Sequence, residues 1–222
     1  MEIQIENLKK SYGRKQVLTD VSLTAESGSC IGILGANGCG KSTMLSILAG
    51  VQSADGGRFL FQGKDLLKDG RARSSAVGYV PQGTPLIEEL SARDNLLLWY
   101  SRPDMERQLR DGVLGMLGIG EFLKVPVSKM SGGMKKRLSI GCAMAGRPPI
   151  LLLDEPTAAL DLSCKQKIAQ WLRQYREAGG ILLLTTHDAM ELALCDRWYI
   201  LKEGVLLPFA YDGNVDELVR QL

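Results

Sequence analysis

Length, composition and charge set broad limits on this chain. Its 222 residues are enough for one large domain or two small ones, and a hydrophobic fraction of 45% allows a substantial core. A net charge of +2 without a basic stripe argues against nucleic acid as the main ligand. No run of 18 apolar residues is present, and the alternating, acidic residues 2–6 do not resemble a signal peptide. We therefore expect a cytoplasmic protein that reaches a membrane only through partners.

The first half of the chain alternates strand patterns with glycine-rich turns. Residues 2–6 and 21–25 predict two strands, and the turn predicted over residues 9–14 carries Tyr12. The apolar run 31–34 predicts a buried strand, and residues 44–49 predict a helix that stops at Gly50. The five cysteines are scattered, which is typical of reduced, buried thiols, except that Cys39 lies between this strand and this helix.

Between that strand and that helix lies a phosphate-binding pattern. Gly35 is followed by four residues and then by Gly40-Lys41-Ser42, which matches the P-loop. Glycines allow backbone N–H groups to surround a phosphate, Lys41 would reach the β- and γ-phosphates, and Ser42 would hold Mg²⁺. A dinucleotide-binding turn fits less well, because these glycines run Gly-x-x-Gly-x-Gly instead of Gly-x-Gly-x-x-Gly. The pattern therefore predicts a nucleoside triphosphate site.

The middle of the chain changes from strand patterns to helical ones. Strands are predicted at 58–61 and at 77–80, the second ending at Pro81-Gln82. From about residue 91 to 145 the pattern is mostly helical. Three candidate helices are marked by residues 96–100, by Met105, Leu109 and Val113 on one face, and by Leu138, Cys142 and Ala145 on another. We interpret this block as a helical insertion between sheet strands within one domain.

The last third returns to buried strands. Strands are predicted at residues 150–153, 181–184, 197–202 and 205–210, and a terminal helix at 215–222. Asp161 is a good N-cap for an amphipathic helix whose apolar face carries Ile168, Trp171, Leu172 and Tyr175. Uninterrupted apolar strands that alternate with helices predict an α/β fold with a mostly parallel sheet covered on both faces.

Two acids follow the apolar run 150–153. Asp154 ends that strand, at the sheet edge where ligands of open α/β folds bind, so it could hold the Mg²⁺ that Ser42 also contacts. Glu155 lies one residue further and could orient or deprotonate a water molecule. The alternative is a pair of solvated acids in a loop, but a carboxylate at the end of an apolar strand needs a partner.

A second glycine-rich segment, Ser131-Gly132-Gly133, precedes a predicted helix. A helix N-terminus binds anions, yet one triphosphate does not need two such loops at this separation. The simplest account is that Ser131–Gly133 serves the nucleotide of another subunit. Ser131 taken alone is equally well explained as a structural N-cap.

The order of these motifs resembles one nucleotide-binding domain of an ABC transporter, over about residues 1–210. The resemblance rests on the P-loop, Gln82, Ser-Gly-Gly, Leu-Leu-Leu-Asp-Glu-Pro-Thr, Ala-Leu-Asp and Thr-Thr-His-Asp. It implies a P-loop NTPase core, an N-terminal antiparallel β subdomain and an inserted α-helical subdomain. The chain would be a single domain over residues 1–222, with the helical subdomain at about 83–146.

The resemblance also implies a role for each matching residue, with ATP and Mg²⁺ as ligands. Tyr12 would stack on adenine, Gln82 would contact Mg²⁺ or water, Glu155 would activate water, and His187 would contact the γ-phosphate. Asp161 would lie at a dimer interface. The remaining nucleotide contacts would come from Gly35, Asn37, Gly38, Cys39, Gly40, Lys41, Ser42, Thr43, Ser131, Gly132 and Gly133, with Ser42, Gln82 and Asp154 as metal ligands.

The implied partners are a second ATPase subunit, facing head to tail, and transmembrane permease subunits. Met130 and Met134 depart from the usual leucine and glutamine of the signature, and Leu162 replaces a frequent proline. The run Met134-Lys135-Lys136-Arg137 resembles ATPases of drug, polyketide or lipid exporters. One alternative stays open at this point, a soluble ABC ATPase such as one for iron–sulfur assembly. The presence of Lys41, Gln82, Glu155 and His187 argues against a binding module that has lost catalysis.

Overall fold

The computed structural model describes residues 1–158, 160–211 and 213; the helix predicted at 215–222 lies outside them. The chain begins with two long antiparallel strands, β1 (Glu2–Tyr12) and β2 (Lys15–Glu26). Both extend further than predicted, because pairing continues to Tyr12 opposite Lys15. The turn predicted over residues 9–14 therefore contains only Gly13 and Arg14, and Tyr12 is the last residue of a strand.

The phosphate-loop region has the predicted strand–turn–helix order. Strand β3 (Cys30–Leu34) is buried throughout, helix α1 (Lys41–Ala49) follows the loop, and Gly50 ends it in the left-handed region at φ 82°. Next come β4 (Gly56–Phe61), β5 (Lys64–Asp65), α2 (Gly70–Ala76) and β6 (Val77–Val80). The prediction missed β5 and α2, which are too short to show a hydrophobic period.

The segment between β6 and the next strand is helical, as predicted, but its helices are shorter. They are α3 (Ala92–Leu97), α4 (Arg102–Asp111), α5 (Val113–Met116) and α6 (Gly132–Ala143), with 3₁₀ turns at Ile119–Phe122 and Val127–Lys129. The single helix predicted for Met105, Leu109 and Val113 is wrong, because extended backbone at Gly112 separates α4 from α5. The Gln108 side chain accepts the Val113 N–H at 3.1 Å, replacing the helical bond at the break.

The C-terminal elements match the predictions closely. They are β7 (Ile150–Asp154), α7 (Leu162–Glu177), β8 (Ile181–Thr185), α8 (Ala189–Leu192), β9 (Arg197–Lys202) and β10 (Val205–Phe209). Only α8 was not predicted. Asp161 caps α7 as expected, since its carboxylate accepts the Cys164 N–H at 2.9 Å.

One ten-stranded sheet organises these elements in the order β5-β4-β1-β2-β10-β9-β3-β8-β7-β6. The strands from β9 to β6 are parallel, and those from β5 to β2 are antiparallel. The predicted α/β class, with an antiparallel N-terminal part and a parallel P-loop NTPase core, is confirmed. Within the described residues no helix has both the length and the apolarity to cross a membrane.

Alternating side chains of the central strands supply two separate cores. Ile150 and Leu152 of β7 pack with α1 on one face, whereas Leu151 and Leu153 pack with α6 and α7 on the other. Burial on both faces explains why the central strands are continuous apolar runs. The sheet therefore fixes α1 and α6 on opposite faces, with the carboxyl ends of β3 and β7 between them.

Candidate active site

The loop from Gly35 to Gly40 needs glycine at defined positions. Gly35, Gly38 and Gly40 have φ values of 151°, 76° and 115°, where other residues are strained. A Cβ on Gly40 would come within 2.8 Å of a methyl carbon of Val17 in β2, and one on Gly35 within 2.7 Å of the Leu201 carbonyl oxygen in β9. The glycines thus let the loop turn tightly against two strands.

Lys41 directs its charge into this loop. Its side chain is only 7% exposed, and the ammonium group donates hydrogen bonds to the carbonyl oxygens of Gly35 at 2.7 Å and Ala36 at 3.2 Å. A buried cation at the N-terminus of α1 attracts anions, because the positive end of the helix dipole lies at the same place.

A pocket of about 470 Å³ opens above the loop. It brings together residues from β1, β2, the phosphate loop, the segment after β6 and the segment after β7. The predicted site residues in its lining are Tyr12, Asn37, Gly38, Gly40, Lys41, Ser42, Thr43, Gln82 and Glu155. Lys15 and Val17 also line it and were not predicted; the alternation in β2 alone did not mark them. Gly35 and Cys39 are not among the residues that line this pocket; the Cys39 sulfur is 2.7 Å from a Cβ built on Gly35.

Thr185, at the end of β8, holds the two acids in place. Its hydroxyl donates to Asp154 Oδ1 at 2.6 Å, and its carbonyl and hydroxyl oxygens both accept the Glu155 N–H at 3.1 Å. Glu155 adopts a left-handed backbone at φ 48°, which turns the chain between the two acids. The sequence analysis included Thr185 only as part of the Thr-Thr-His-Asp motif and predicted no contact between Thr185 and the two acids. The signal for its function is a hydroxyl residue at the end of an apolar strand.

Gln82 and Glu155 meet at the pocket wall. The Gln82 amide nitrogen donates to Glu155 Oε2 at 3.0 Å, so the amide oxygen is the Gln82 atom available to a metal ion. Asp154 is only 2% exposed, and its carboxylate oxygens, the Ser42 hydroxyl and the Gln82 oxygen are the hard donors that Mg²⁺ prefers. Mg²⁺ beside phosphates commonly uses one or two carboxylates, so this donor set fits it.

His187 lines a second pocket, of about 180 Å³, which shares Glu155 with the larger one. Burial and the Lys41 charge lower the pKa of His187, and the Glu155 charge opposes them. The imidazole is therefore neutral near pH 7. Glu191 of α8 lines the same pocket, and the sequence analysis did not predict it. The available signal was an acidic residue four positions after His187. Burial raises the pKa of Glu191.

Ser131, Gly132 and Gly133 lie elsewhere. The Ser131 hydroxyl accepts the Met134 N–H at 3.3 Å, so Ser131 does cap α6. A Cβ on Gly133 would lie 3.1 Å from the Cys164 sulfur and 3.9 Å from Asp161 Oδ2, which places Asp161 beside this loop. Among the described residues that line the Lys41 pocket, none belongs to Ser131–Gly133 or is Asp161.

Tyr12 stands at the rim of the Lys41 pocket. Its side chain is 48% exposed, its hydroxyl contacts Gln52, and the Lys10 ammonium lies 5.5 Å from the ring centroid. An exposed aromatic face at the mouth of a phosphate pocket can accept a planar base. Tyr12 lines the same pocket as Lys41, and its stacking on adenine stays a prediction.

Comparisons with known proteins agree with this geometry. The ABC transporter family matches residues 18–158. The Nod factor export ATP-binding protein I of Sinorhizobium fredii is 37% identical over 207 residues, covering 91% of this chain and 60% of that protein. A sulfate/thiosulfate import ATP-binding protein of Yersinia pseudotuberculosis is 36% identical over 233 residues, covering 100% and 62%. The chain thus spans about 60% of the length of these two relatives.

A solved structure supports the same assignment. It is a dimeric post-hydrolysis state of an ATP-binding cassette bound to ADP and phosphate. The TM-score is 0.81 at 29% identity, with 92% of this chain and 96% of that chain covered. Together with the Lys41 loop and the paired acids, these likenesses identify the chain as an ATP-binding, ATP-hydrolysing domain that belongs to the ABC transporter family.

Proposed function

We propose that this chain is the subunit that hydrolyses ATP to power a membrane transporter, with residues 1–222 forming one nucleotide-binding domain and about 83–146 its helical subdomain. The proposal rests on one observation: the predicted nucleotide-binding residues lie in two separate places on the chain. Lys41, Gln82 and Glu155 share one pocket, whereas Ser131–Gly133 lies outside it. A half-site that needs a second subunit is suited to coupling hydrolysis to the movement of two subunits.

Each residue of the pocket has a separate task in the proposed reaction. The loop N–H groups and Lys41 hold the β- and γ-phosphates, and Tyr12 supports the base. Glu155 orients the attacking water and accepts its proton, while Gln82 fixes the Glu155 carboxylate. Mg²⁺, held by Ser42, Gln82 and Asp154, would neutralise phosphate charge when bound. His187 would donate a hydrogen bond to the γ-phosphate from the adjoining pocket that it shares with Glu155.

The second ATPase subunit, a copy or a paralogue, completes this site. Its Ser131–Gly133 segment would close over the nucleotide, with Asp161 at the interface. Two features support this arrangement: Ser131 and Gly132 are exposed, and a Cβ on Gly132 would meet nothing within 4 Å. The related cassette described above is dimeric.

A cleft between the parallel core and the helical segment is the proposed docking surface for the membrane partner. A cleft of about 330 Å³ is lined by Tyr79, Leu86 and Trp99, among others, and Trp99 is 67% exposed. Pro85 and Leu86 of this cleft follow Gln82 by three and four residues, so a partner seated here would contact the segment that carries Gln82. We propose that permease subunits dock in this cleft and hold the chain at the inner face of the membrane.

The decisive experiment changes Glu155 to Gln. The amide keeps the shape but cannot accept a proton, so turnover should fall by at least a hundredfold while ATP still binds. ATP-bound dimer should then accumulate in size-exclusion chromatography. The matched control is Glu177→Gln, at the end of α7. Wild-type turnover by Glu155→Gln would contradict the assignment of Glu155, and an active complex that lacks any membrane subunit would contradict the transport function.

Export is the proposed direction of transport. It rests on the run Met134-Lys135-Lys136-Arg137 and on the relative named for Nod factor export, and the relative named for sulfate import marks the competing direction. Inside-out vesicles that contain the chain and its permease should accumulate substrate when ATP is added outside. Accumulation by right-side-out vesicles loaded with ATP would indicate import instead.

A further inference from the structure

Lys136 is a buried cation that the site described above does not use. It lies in the second turn of α6 and is only 4% exposed. Burying an ammonium group is unfavourable unless it is paired and hydrogen-bonded. Its nitrogen donates to the carbonyl oxygens of Pro81 and Gln82, both at 3.0 Å. Both acceptors belong to the segment that carries a residue of the pocket.

The neighbouring cations of α6 have different partners. Lys135 forms an exposed ion pair with Glu88 at 3.2 Å, and Arg137 donates to the Leu117 carbonyl at 2.8 Å. Consecutive residues point about 100° apart around a helix, so only the middle one faces the sheet edge. Burial lowers the pKa of Lys136, and the carboxylates of Asp154, Glu191 and Glu155 oppose that lowering without cancelling it.

The contacts of Lys136 lead to the reacting groups in two steps. The ammonium fixes the Gln82 carbonyl, and the Gln82 side chain donates to Glu155 Oε2 at 3.0 Å. Helix α6 itself begins at Gly132, four residues before Lys136, or about 6 Å along the axis. A displacement of the Ser131 end of α6 would therefore reach the backbone of Gln82 over little more than one helical turn.

We propose that Lys136 is a positioning residue for ATP hydrolysis, which holds the Gln82 backbone so that the Gln82 side chain meets Glu155. The inference rests on the proposed function of Gln82 and Glu155. Lys136 thereby connects Gln82 and Glu155, which belong to one nucleotide site, to helix α6. The N-terminus of α6 would contact the nucleotide of the second site. Lys136 acts through Gln82 and does not itself line the Lys41 pocket.

A double-mutant cycle tests this inference. We expect Lys136→Met to lower kcat for ATP by at least tenfold and to leave KM within about twofold, because misplacing catalytic groups affects turnover more than binding. Lys136→Arg, which keeps a donor cation, should recover most of kcat. In the Gln82→Ala background, Lys136→Met should cause no further loss, since residues that act through one another are not additive.

The control for a general loss of stability is Lys167→Met on α7, whose exposed ion pair with Glu121 spans 3.9 Å; its kcat should stay unchanged. If Lys136→Met does not fold, Lys136→Gln enters the same cycle, since its amide can donate to one carbonyl. Additive losses in the cycle would overturn the inference while leaving the proposed site intact. An unaffected kcat in Gln82→Ala would overturn both.

Discussion

The chain contains two glycine-rich segments that each precede a helix, but their glycines are needed for different reasons. In the Lys41 loop, Gly35 and Gly40 have positive φ, and neighbouring strands leave no space for a Cβ. In the Ser131 segment, Gly132 faces open space and its φ is not positive. The fold of this chain requires the first set of glycines. Nothing within the described residues requires Gly132, which agrees with the proposal that it contacts the nucleotide of a second subunit.

The strongest test of this difference removes the charge of the Lys41 loop. Lys41→Ala should weaken ATP binding by about a hundredfold, because charge-assisted hydrogen bonds to phosphate are lost, and turnover should disappear. Titration calorimetry with ATP measures the effect. Lys68→Ala, an exposed lysine of a surface pair, serves as the control and should bind ATP normally. An unchanged Kd for Lys41→Ala would contradict the location of the triphosphate.

A substitution in the Ser131 segment should lower turnover without weakening ATP binding to the monomer. Gly132→Val should lower kcat by tenfold to a hundredfold, because its side chain would block closure over the partner's nucleotide. Binding of ATP to the monomer and the melting temperature should change little, since a Cβ built at Gly132 meets no described atom within 4 Å. A loss of monomer ATP affinity would show that this segment belongs to the site of its own chain.

The requirement for glycine in the Lys41 loop should also appear in the free energy of unfolding. Gly40→Ala should lower the free energy of unfolding by about 1–3 kcal/mol, through the strained positive φ and the clash with Val17. Denaturant unfolding without nucleotide measures it. Gly120→Ala is matched, because a Cβ there meets nothing within 4 Å, and it should be close to neutral. Equal stabilities of the two variants would remove the structural argument for Gly40.

Tyr12 should contribute less than the phosphate contacts. Tyr12→Ala should weaken ATP binding by about twofold to tenfold, since stacking contributes roughly 0.5–1.5 kcal/mol. Tyr12→Phe should bind almost as well as the wild type, because the ring is retained and only the Gln52 contact is lost. If Tyr12→Phe binds as weakly as Tyr12→Ala, the hydroxyl and not the ring is the important group.

The smallest expected effect is electrostatic. His187 is the only histidine of the chain, so its ring protons can be followed alone by NMR. Burial and Lys41 lower its pKa, so its titration midpoint without nucleotide should lie below the ordinary value of about 6.5. In Lys41→Ala the midpoint should move up, because one of the charges that disfavour the imidazolium is gone. A midpoint above 6.5 in the wild type would contradict this coupling.

The sequence by itself determined the elements that depend on local chemistry. The apolar runs of β3, β7 and β8 were predicted because these strands are buried on both faces, and the caps Ser131 and Asp161 because a cap bonds within its own turn. The Gly-x₄-Gly-Lys-Ser pattern located the phosphate loop, because its glycines are required by the backbone itself.

Only the tertiary structure decided the features that depend on distant contacts. Pairing with β2 extended β1 to Tyr12, and the Gln108 side chain allowed the chain to break at Gly112. The bond of Lys136 to Gln82 joins residues 54 positions apart, and that of Thr185 to Asp154 joins residues 31 apart. Helical spacing shows that Lys135, Lys136 and Arg137 point in different directions. Only the packing of α6 on the sheet decides that Lys136 is the one buried near Asp154 and Glu155.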